Sequence, residues 1–376
     1  MPNIQLLNSE IELDLTHVAY RYKKNPILTC HQVNAAWKSP YLKVITVHNA
    51  GITEFNGETL MLFRSHLRNG ISILGIARSK DGLDDWKVDA QPAMLPCNQD
   101  NIYQTPSKKK EYMIGEAGGI EDARICKIGD DYLITYSAYH GVIPHRVRVS
   151  LAITQDFVTF KRYGPMLSTD MRNVVVFPEK IKGKYYALFR PNDSTIDHTG
   201  GIFKQICLGT STDYYANDWK VDLNNPIIKQ NGAPSPFADK IGPGATPIKT
   251  KHGWLNIFHG VRSTMDGNPY VLGVALHDLE DVSKVKVSNI PVLMPAKADC
   301  RVREEDYVHV PNVVFCCGAS RKEDGTIYIY YAGNDTVMNL ALSHEDILAE
   351  LCQRFPQDPN SGMALYDLRN SLSGTF

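Results

Sequence analysis

Five times along the chain a glycine opens a short run of alternating β-formers, and this recurrence constrains the fold more than any other feature. The first run is Gly57-Glu58-Thr59-Leu60-Met61-Leu62-Phe63-Arg64; the others begin at Gly129, Gly183, Gly253 and Gly325, so the glycines stand 72, 54, 70 and 72 residues apart. A second β-rich segment follows each, at 74–79, 149–154, 206–211, 272–276 and 340–343. Four of the five then run into a polar turn and a further short run, as at Asp81-Gly82-Leu83-Asp84-Asp85-Trp86. Strand, hairpin, strand and turn repeated in this way predict an all-β chain folded as a five-bladed β-propeller. A β-sandwich with accidental similarity is the alternative, and the paired recurrence disfavours it.

A chain of 376 residues would by length alone suggest about two domains, but propellers run this long as one unit. The repeats predict a single domain over 1–376, with an N-terminal arm at 1–45 and a C-terminal helix and tail at 343–376. Helix signal is otherwise scarce. Ser343 is placed to cap a helix over 343–355, with Asp346 three residues on and Ile347, Leu348 and Leu351 on one face. The Ser/Gly-rich end at 363–376 is expected to pack loosely.

The net charge of −1 and the absence of a long basic run exclude a nucleic-acid track; Lys108-Lys109-Lys110 reads as a short solvated loop. No apolar run reaches the roughly 18 residues of a membrane span. Glu10, Glu12 and Asp14 interrupt the first segment, so it does not read as a signal peptide. The eight cysteines (Cys30, Cys97, Cys126, Cys207, Cys300, Cys316, Cys317 and Cys352) form no C-x-x-C pair and none lies beside histidines at zinc-like spacing. They read as small hydrophobes in a reducing cytoplasm, and no metal is expected.

A propeller gathers matching positions of its blades at one mouth. Arg64 and Arg190 end equivalent apolar strands, and His259 stands at nearly the same place in a third. A cation there is costly unless it meets an anion or a polar ligand. Arg172 and Asn173 precede the run that leads to Arg190, and a guanidinium fork with a neutral amide suits phosphate or carboxylate oxygens. Gly118-Gly119-Ile120-Glu121-Asp122-Ala123-Arg124 sets two acids and an arginine behind a glycine pair. A turn there would shield a carboxyl from water and keep it protonated, as a general acid requires. The other reading is a plain surface turn with an Asp–Arg pair.

The phrases GGIEDARI, MRNVVVFPEKIKGKYYALFRP, KIGPGATPIKTKHGWLNIFHGV, VPNVVF and IYYAGNDTV resemble glycoside hydrolase family 130, the β-mannoside phosphorylases and related mannosidases, from about Asn49 to Leu348. The resemblance implies a five-bladed propeller in which Asp122 is the catalytic acid. The motif is usually E-D-P-R, and Ala123 here replaces the proline. Arg172, Asn173, Arg190 and His259 match phosphate-binding positions; Asn49, Arg64 and Asp335 fall where residues holding the mannosyl ring are expected. Lys240 fits the mouth, and Glu121 and Arg68 join the substrate-binding set, although Ser65-His66-Leu67-Arg68 departs from an acid-rich version of this segment.

The chemistry implied is phosphorolysis. An inverting hydrolase usually needs an acid and a base to activate water, whereas phosphate is already an anionic nucleophile and needs a cationic cradle. The expected products are α-mannose 1-phosphate and a shortened acceptor, with no cofactor and with inorganic phosphate as co-substrate. The rival readings are an inverting β-mannosidase on the same scaffold, a mannosyltransferase building oligomannosides, and a non-catalytic carbohydrate-binding propeller. Acceptor sugar, 1,4 versus 1,2 linkage, physiological direction and homo-oligomerisation stay open.

Overall fold

The computed structural model describes residues 18–192, 204–215, 218–230, 235–265 and 267–356. Five largely antiparallel sheets follow one another along the chain. After a short strand β1 (Tyr20–Arg21) and helix α1 (Cys30–Ala36), the first sheet is β2 (His48–Phe55), β3 (Glu58–His66), β4 (Ser72–Ser79) and β5 (Lys87–Val88). The second blade opens with strand β6 (Ile102–Tyr103) and helix α2 (Lys109–Glu116). It continues through β7 (Gly119–Ile128), β8 (Asp131–Tyr139), β9 (Val147–Thr154) and β10 (Lys161–Pro165), with β6 on the outer edge. The third is β11 (Met171–Val176), β12 (Tyr185–Pro191), β13 (Cys207–Ser211) and β14 (Lys220–Val221). In the fourth, β15 (Lys240–Pro243) and β16 (Ile248–Thr250) both pair with β17 (Gly253–Val261), followed by β18 (Tyr270–His277) and β19 (Val285–Val287). The fifth is β20 (Val314–Arg321), β21 (Thr326–Gly333) and β22 (Val337–His344), completed on its outer edge by β1; helix α3 (Glu345–Arg354) follows. This is the five-bladed propeller that the repeats predict.

The period of two decides which blade each side chain meets. Leu60 and Leu62 of β3 pack against Ile120, Ala123 and Ile125 of β7, while Met61 and Phe63 pack against Tyr328 and Tyr330 of β21. Both faces of the strand are therefore buried, which is why these segments read as nearly continuous apolar runs. Gly57, Gly129, Gly183 and Gly325 have φ of 78°, 60°, 79° and 85°, as the turns between first and second strands require.

Three local readings are corrected. Lys108-Lys109-Lys110 is not a loop: it leads into α2, whose Glu116 is buried. Glu116 pairs with buried Arg162 and accepts from Tyr103 (2.7 Å) and Tyr136 (3.2 Å), so the helix is held by distant residues rather than by a strong apolar face. Helix α1 was likewise not foreseen. At the other end, α3 starts at Glu345 and its cap is His344, whose Nδ1 accepts from Asp346 N–H at 3.2 Å. Ser343 belongs to β22, and its hydroxyl donates to Val18 O at 2.7 Å. The face expected of the helix is present: Ile347, Leu348 and Leu351 join a core with Val274, Leu276, Ile327 and Ile329. Residues 1–17 and 357–376 lie outside the described residues, so the expectation of a loose tail at 363–376 falls there too.

Candidate active site

The first strands of the blades, β2, β7, β11, the β15–β16 pair and β20, contact their neighbours around the axis. In four of them the register slips, between His48 and Gly51, Glu121 and Arg124, Arg172 and Val175, and Cys316 and Gly318. Each slip is a bulge, which leaves a residue outside the ladder and re-aims its side chain. In the first three blades the bulge holds a left-handed residue: Asn49 (φ 48°), Asp122 (φ 53°) and Asn173 (φ 55°). Asparagine and aspartate are the side chains that best tolerate this backbone. The turn expected at 118–124 is thus a strand, and the bend that presents Asp122 is its bulge. The surface-turn reading fails, because Glu121, Asp122 and Arg124 are all buried.

Arg64 gathers the acid side of the site. Its Nη1 donates to Asp122 Oδ1 at 2.9 Å, its Nη2 to Glu121 Oε1 at 2.7 Å, and its Nε to Ser72 Oγ at 3.1 Å. His66 Nε2 lies 2.8 Å from the same Nη2; an arginine can only donate, so that imidazole nitrogen accepts and its proton sits on Nδ1, facing Thr46 Oγ1 at 3.2 Å. Asn49 Nδ2 donates to Asp122 Oδ1 at 2.9 Å. From the fifth blade, Asn334 and Asp335 occupy a tight turn with φ of 52° and 48°, the two positive values of a type I′ turn, closed by Thr336 N–H donating to Gly333 O at 3.0 Å. Asp335 Oδ1 is buried without a hydrogen-bond partner.

Three carboxyls around one guanidinium titrate differently. Burial pushes Asp122 up, but Arg64, Arg124 and the Asn49 hydrogen bond outweigh it and hold the carboxyl below its ordinary value. Burial raises Glu121, with Asp122 adding and Arg64 opposing. Asp335 is pushed up to about 7, by burial first and then by the neighbouring Asp122 and Glu121 charges against Arg64. The expectation that its surroundings keep Asp122 protonated is therefore corrected: without ligand Asp122 is held toward its carboxylate form, while Asp335 keeps its proton up to about pH 7.

The third and fourth blades carry the cations. Arg172 of β11 and Arg190 of β12 are directly opposed across the ladder. The Arg172 guanidinium lies over the Tyr139 ring, 5.0 Å from its centroid, and its Nε is buried with no hydrogen-bond partner. Asn173, with an unpartnered Oδ1, follows at the bulge. Gly242 of β15 faces His259 of β17 in register; a Cβ at Gly242 would stand 2.6 Å from the His259 ring and 2.7 Å from Arg190 Cδ, so the two side chains converge there. Burial lowers His259 well below the usual imidazole range, with Arg190, Arg124 and Lys240 adding, so it is neutral. Lys240 Nζ donates to Tyr270 OH at 2.8 Å.

Ten of the eleven expected site residues thus lie along the axis or at its mouth, drawn from all five blades. Arg68 does not join the buried groups: it is exposed in the turn after β3. His66, Ser72, Thr46, Tyr139 and Tyr270 were missed; only His66 carried a signal, standing two residues beyond Arg64 and hence on the same strand face. Among the described residues no group of three or more His, Cys, Asp or Glu side chains could hold a metal ion, and no helix is long and apolar enough to cross a membrane.

The family model of glycoside hydrolase family 130, described as beta-1,4-mannooligosaccharide phosphorylase, matches residues 19–354. The chain belongs to this family. Within it, the chain is 31% identical to a beta-1,2-mannobiose phosphorylase of Listeria innocua, over 85% of this chain and 94% of the relative. It is 34% identical to a 1,2-beta-oligomannan phosphorylase of a Thermoanaerobacter species (79% and 89% covered) and 30% identical to a 4-O-beta-D-mannosyl-D-glucose phosphorylase of Bacteroides fragilis (94% and 89%). The solved Listeria innocua beta-1,2-mannobiose phosphorylase, in complex with beta-1,2-mannobiose, superposes with a TM-score of 0.70 at 27% identity, covering 89% of this chain and 99% of that one.

Proposed function

We propose that this family 130 enzyme is an inverting β-mannoside phosphorylase, with Asp122 as general acid and Arg172, Asn173, Arg190 and His259 holding phosphate. The observation that carries this reading is the Arg172–Arg190 pair. The two arginines stand opposite each other in backbone register on neighbouring strands, beside the bulge residue Asn173, and an anion there can accept charge-assisted hydrogen bonds from both forks. The names of the relatives supply the substrate class: β-mannosides cleaved by phosphate.

Asn49, Arg64 and Asp335 bind the mannosyl ring. Phosphate on the cation side attacks C1 from the face opposite the leaving group; the C1–O bond to the acceptor breaks, and its oxygen takes the proton from Asp122. The products are α-mannose 1-phosphate and the acceptor with a free hydroxyl. A phosphate dianion near Asp122 raises the proton affinity of that carboxyl, so binding of the nucleophile supplies the acid form that the ligand-free site lacks. Phosphate needs no activating base, and the residues call for no cofactor. All eight cysteines are free, which suits the reducing cytoplasm expected for the chain.

The test is an assay of β-mannoside cleavage with and without phosphate, followed by the reverse reaction with α-mannose 1-phosphate and a panel of glucose, N-acetylglucosamine and mannose acceptors. Phosphate-dependent release of mannose 1-phosphate is expected, and the disaccharide formed identifies acceptor and linkage. Equal cleavage without phosphate, giving free mannose, would overturn the phosphorylase reading in favour of a mannosidase.

A further inference from the structure

Arg124 is 2% exposed and belongs to neither the acid cluster nor the cation set, yet it touches both sides. From β7 in the second blade its Nη1 donates to Asp122 O at 2.6 Å, the carbonyl of the bulged residue itself. Its Nε donates to Gly244 O at 3.1 Å, and its Nη2 reaches Pro243 O at 3.5 Å, both in the fourth blade. That segment also contains Gly242, where Arg190 and His259 converge. Phe315 of the fifth blade lies 5.8 Å from the Arg124 guanidinium and 4.4 Å from the His259 ring, closing the third side. Arg124 thus joins the backbone that carries the acid to the strand that carries the phosphate-facing groups.

We propose that Arg124 is the positioning residue that fixes the Asp122 carboxyl opposite the phosphate cradle, by holding the left-handed bulge of β7 to the fourth blade. A bulge leaves one residue outside the ladder, so the ladder alone does not fix where its side chain points. Only a long, planar, multiply donating side chain can hold three carbonyls of two blades at once; lysine has the charge but not the fork. Displacement of a reacting group by about 1 Å commonly costs on the order of a hundredfold in rate. The charge of Arg124 also helps to hold Asp122 down and His259 neutral, so the same residue sets geometry and field.

The inference rests on the reading of Asp122 as acid, and the experiment separates the two. Arg124→Lys and Arg124→Gln are compared with wild type on a natural-type β-mannoside and on 2,4-dinitrophenyl β-mannoside, whose phenolate departs without a proton. Expected is a loss of roughly ten- to a hundredfold in kcat on the first substrate, near wild-type kcat on the second, and an unchanged phosphate KM. Combining either change with Asp122→Asn should add nothing. An equal loss on both substrates, a change in phosphate KM alone, or full activity would overturn the proposal. If wild type releases free mannose without phosphate, the phosphorylase reading fails while the leaving-group comparison still decides Arg124. If wild type cleaves neither substrate, carboxyl titration by NMR decides: Asp122 should titrate higher in Arg124→Gln than in wild type, and an unchanged titration sinks the proposal. Melting temperature is recorded for each variant, and Arg124→Lys carries the kinetic test if Arg124→Gln does not fold.

Discussion

At the scale of single residues, Asp122 shows what sequence can and cannot reveal. Its place in the site was legible from its motif. Its charge was not, because that depends on Arg64, 58 residues earlier, and on Asn49 from another blade. Replacing Asp122 by asparagine should keep the left-handed backbone and leave the protein folded, at the loss of the ion pair with Arg64, and lower turnover on unactivated mannosides by roughly 10²–10⁴-fold. Alanine should lose the same turnover and be less stable than asparagine by roughly 1 kcal/mol, because it tolerates positive φ poorly. Denaturant titration of the two variants checks the difference, and wild-type turnover in either would remove Asp122 from the mechanism. Asp335 yields a pH prediction. Its folded value, about 7, lies above its ordinary one, so the native state binds its proton more tightly than the unfolded chain does. That contribution to stability is complete below the ordinary carboxylate range and is lost as pH rises through about 7. Asp122, held low, has the opposite sign: its contribution is present above the ordinary range and lost as pH falls through the depressed value. Asp335→Asn should therefore gain stability relative to wild type as pH rises from about 4 to about 7, and keep that gain above it. If the neutral carboxyl is the form that binds sugar, the variant should also lose the fall in kcat/KM above about pH 7. Parallel melting and kcat/KM profiles against pH test both; a wild-type alkaline limb that persists in the variant assigns the limb to another group.

Among elements, the second strands were the most legible and the bulged first strands the least. A cation ending an apolar strand stands out against a period of two, and Arg64, Arg190 and His259 were found that way. A bulge leaves no compositional mark beyond an Asn or Asp, so 118–124 read as a turn. Helix α2 was missed for a related reason: its anchor, Glu116, is held by Tyr103, Tyr136 and Arg162, which no local window contains. Strands β11 and β12 carry a sharper prediction. Since Arg172 stands in the site with its Nε buried and without a hydrogen-bond partner, Arg172→Gln should leave the melting temperature nearly unchanged. Phosphate-dependent turnover should fall, since removing one partner of a desolvated ionic contact commonly costs roughly 2–5 kcal/mol, on the order of thirty- to several-thousand-fold. Binding of sugar without phosphate should hardly change. A structural brace would behave in the opposite way, lowering the melting temperature and weakening both ligands together.

For the whole molecule, the ring has to close, and the two ends of the described chain do it. Strand β1 pairs with β22 in register, Tyr20 with Leu342 and Arg21 with Ala341. The five glycine-led repeats made the number of blades legible, but not this seam, because β1 is two residues long and carries no alternation of its own. What fixes it is Arg21: Nε donates to Asp299 Oδ1 at 2.6 Å and Nη2 to Oδ2 at 2.9 Å, a bidentate pair, while Nη2 also reaches Met294 O at 2.6 Å. Tyr331 OH donates to the same Asp299 Oδ1 at 2.7 Å, so the pair ties β1 to the middle of the fifth blade. The Arg21 side chain is 30% exposed but that of Asp299 only 1%, so loss of the arginine strands a buried carboxylate rather than a surface one. Arg21→Ala should therefore destabilise the protein by roughly 1–3 kcal/mol, the range for a buried charged group that keeps some of its hydrogen bonds. The proposed catalytic and binding groups lie in the first to fourth blades and at the Asn334–Asp335 turn, away from the groups that Arg21 meets. Turnover at a temperature well below the melting transition should thus stay near wild type, while the half-life on heating shortens. Asp299→Asn with Arg21 retained should be milder, because the amide still accepts from Tyr331 and Arg21 can turn to solvent. If Arg21→Ala melts like wild type, the seam is held by the backbone pairing of β1 and the apolar contacts around it, and the ion pair contributes only its position.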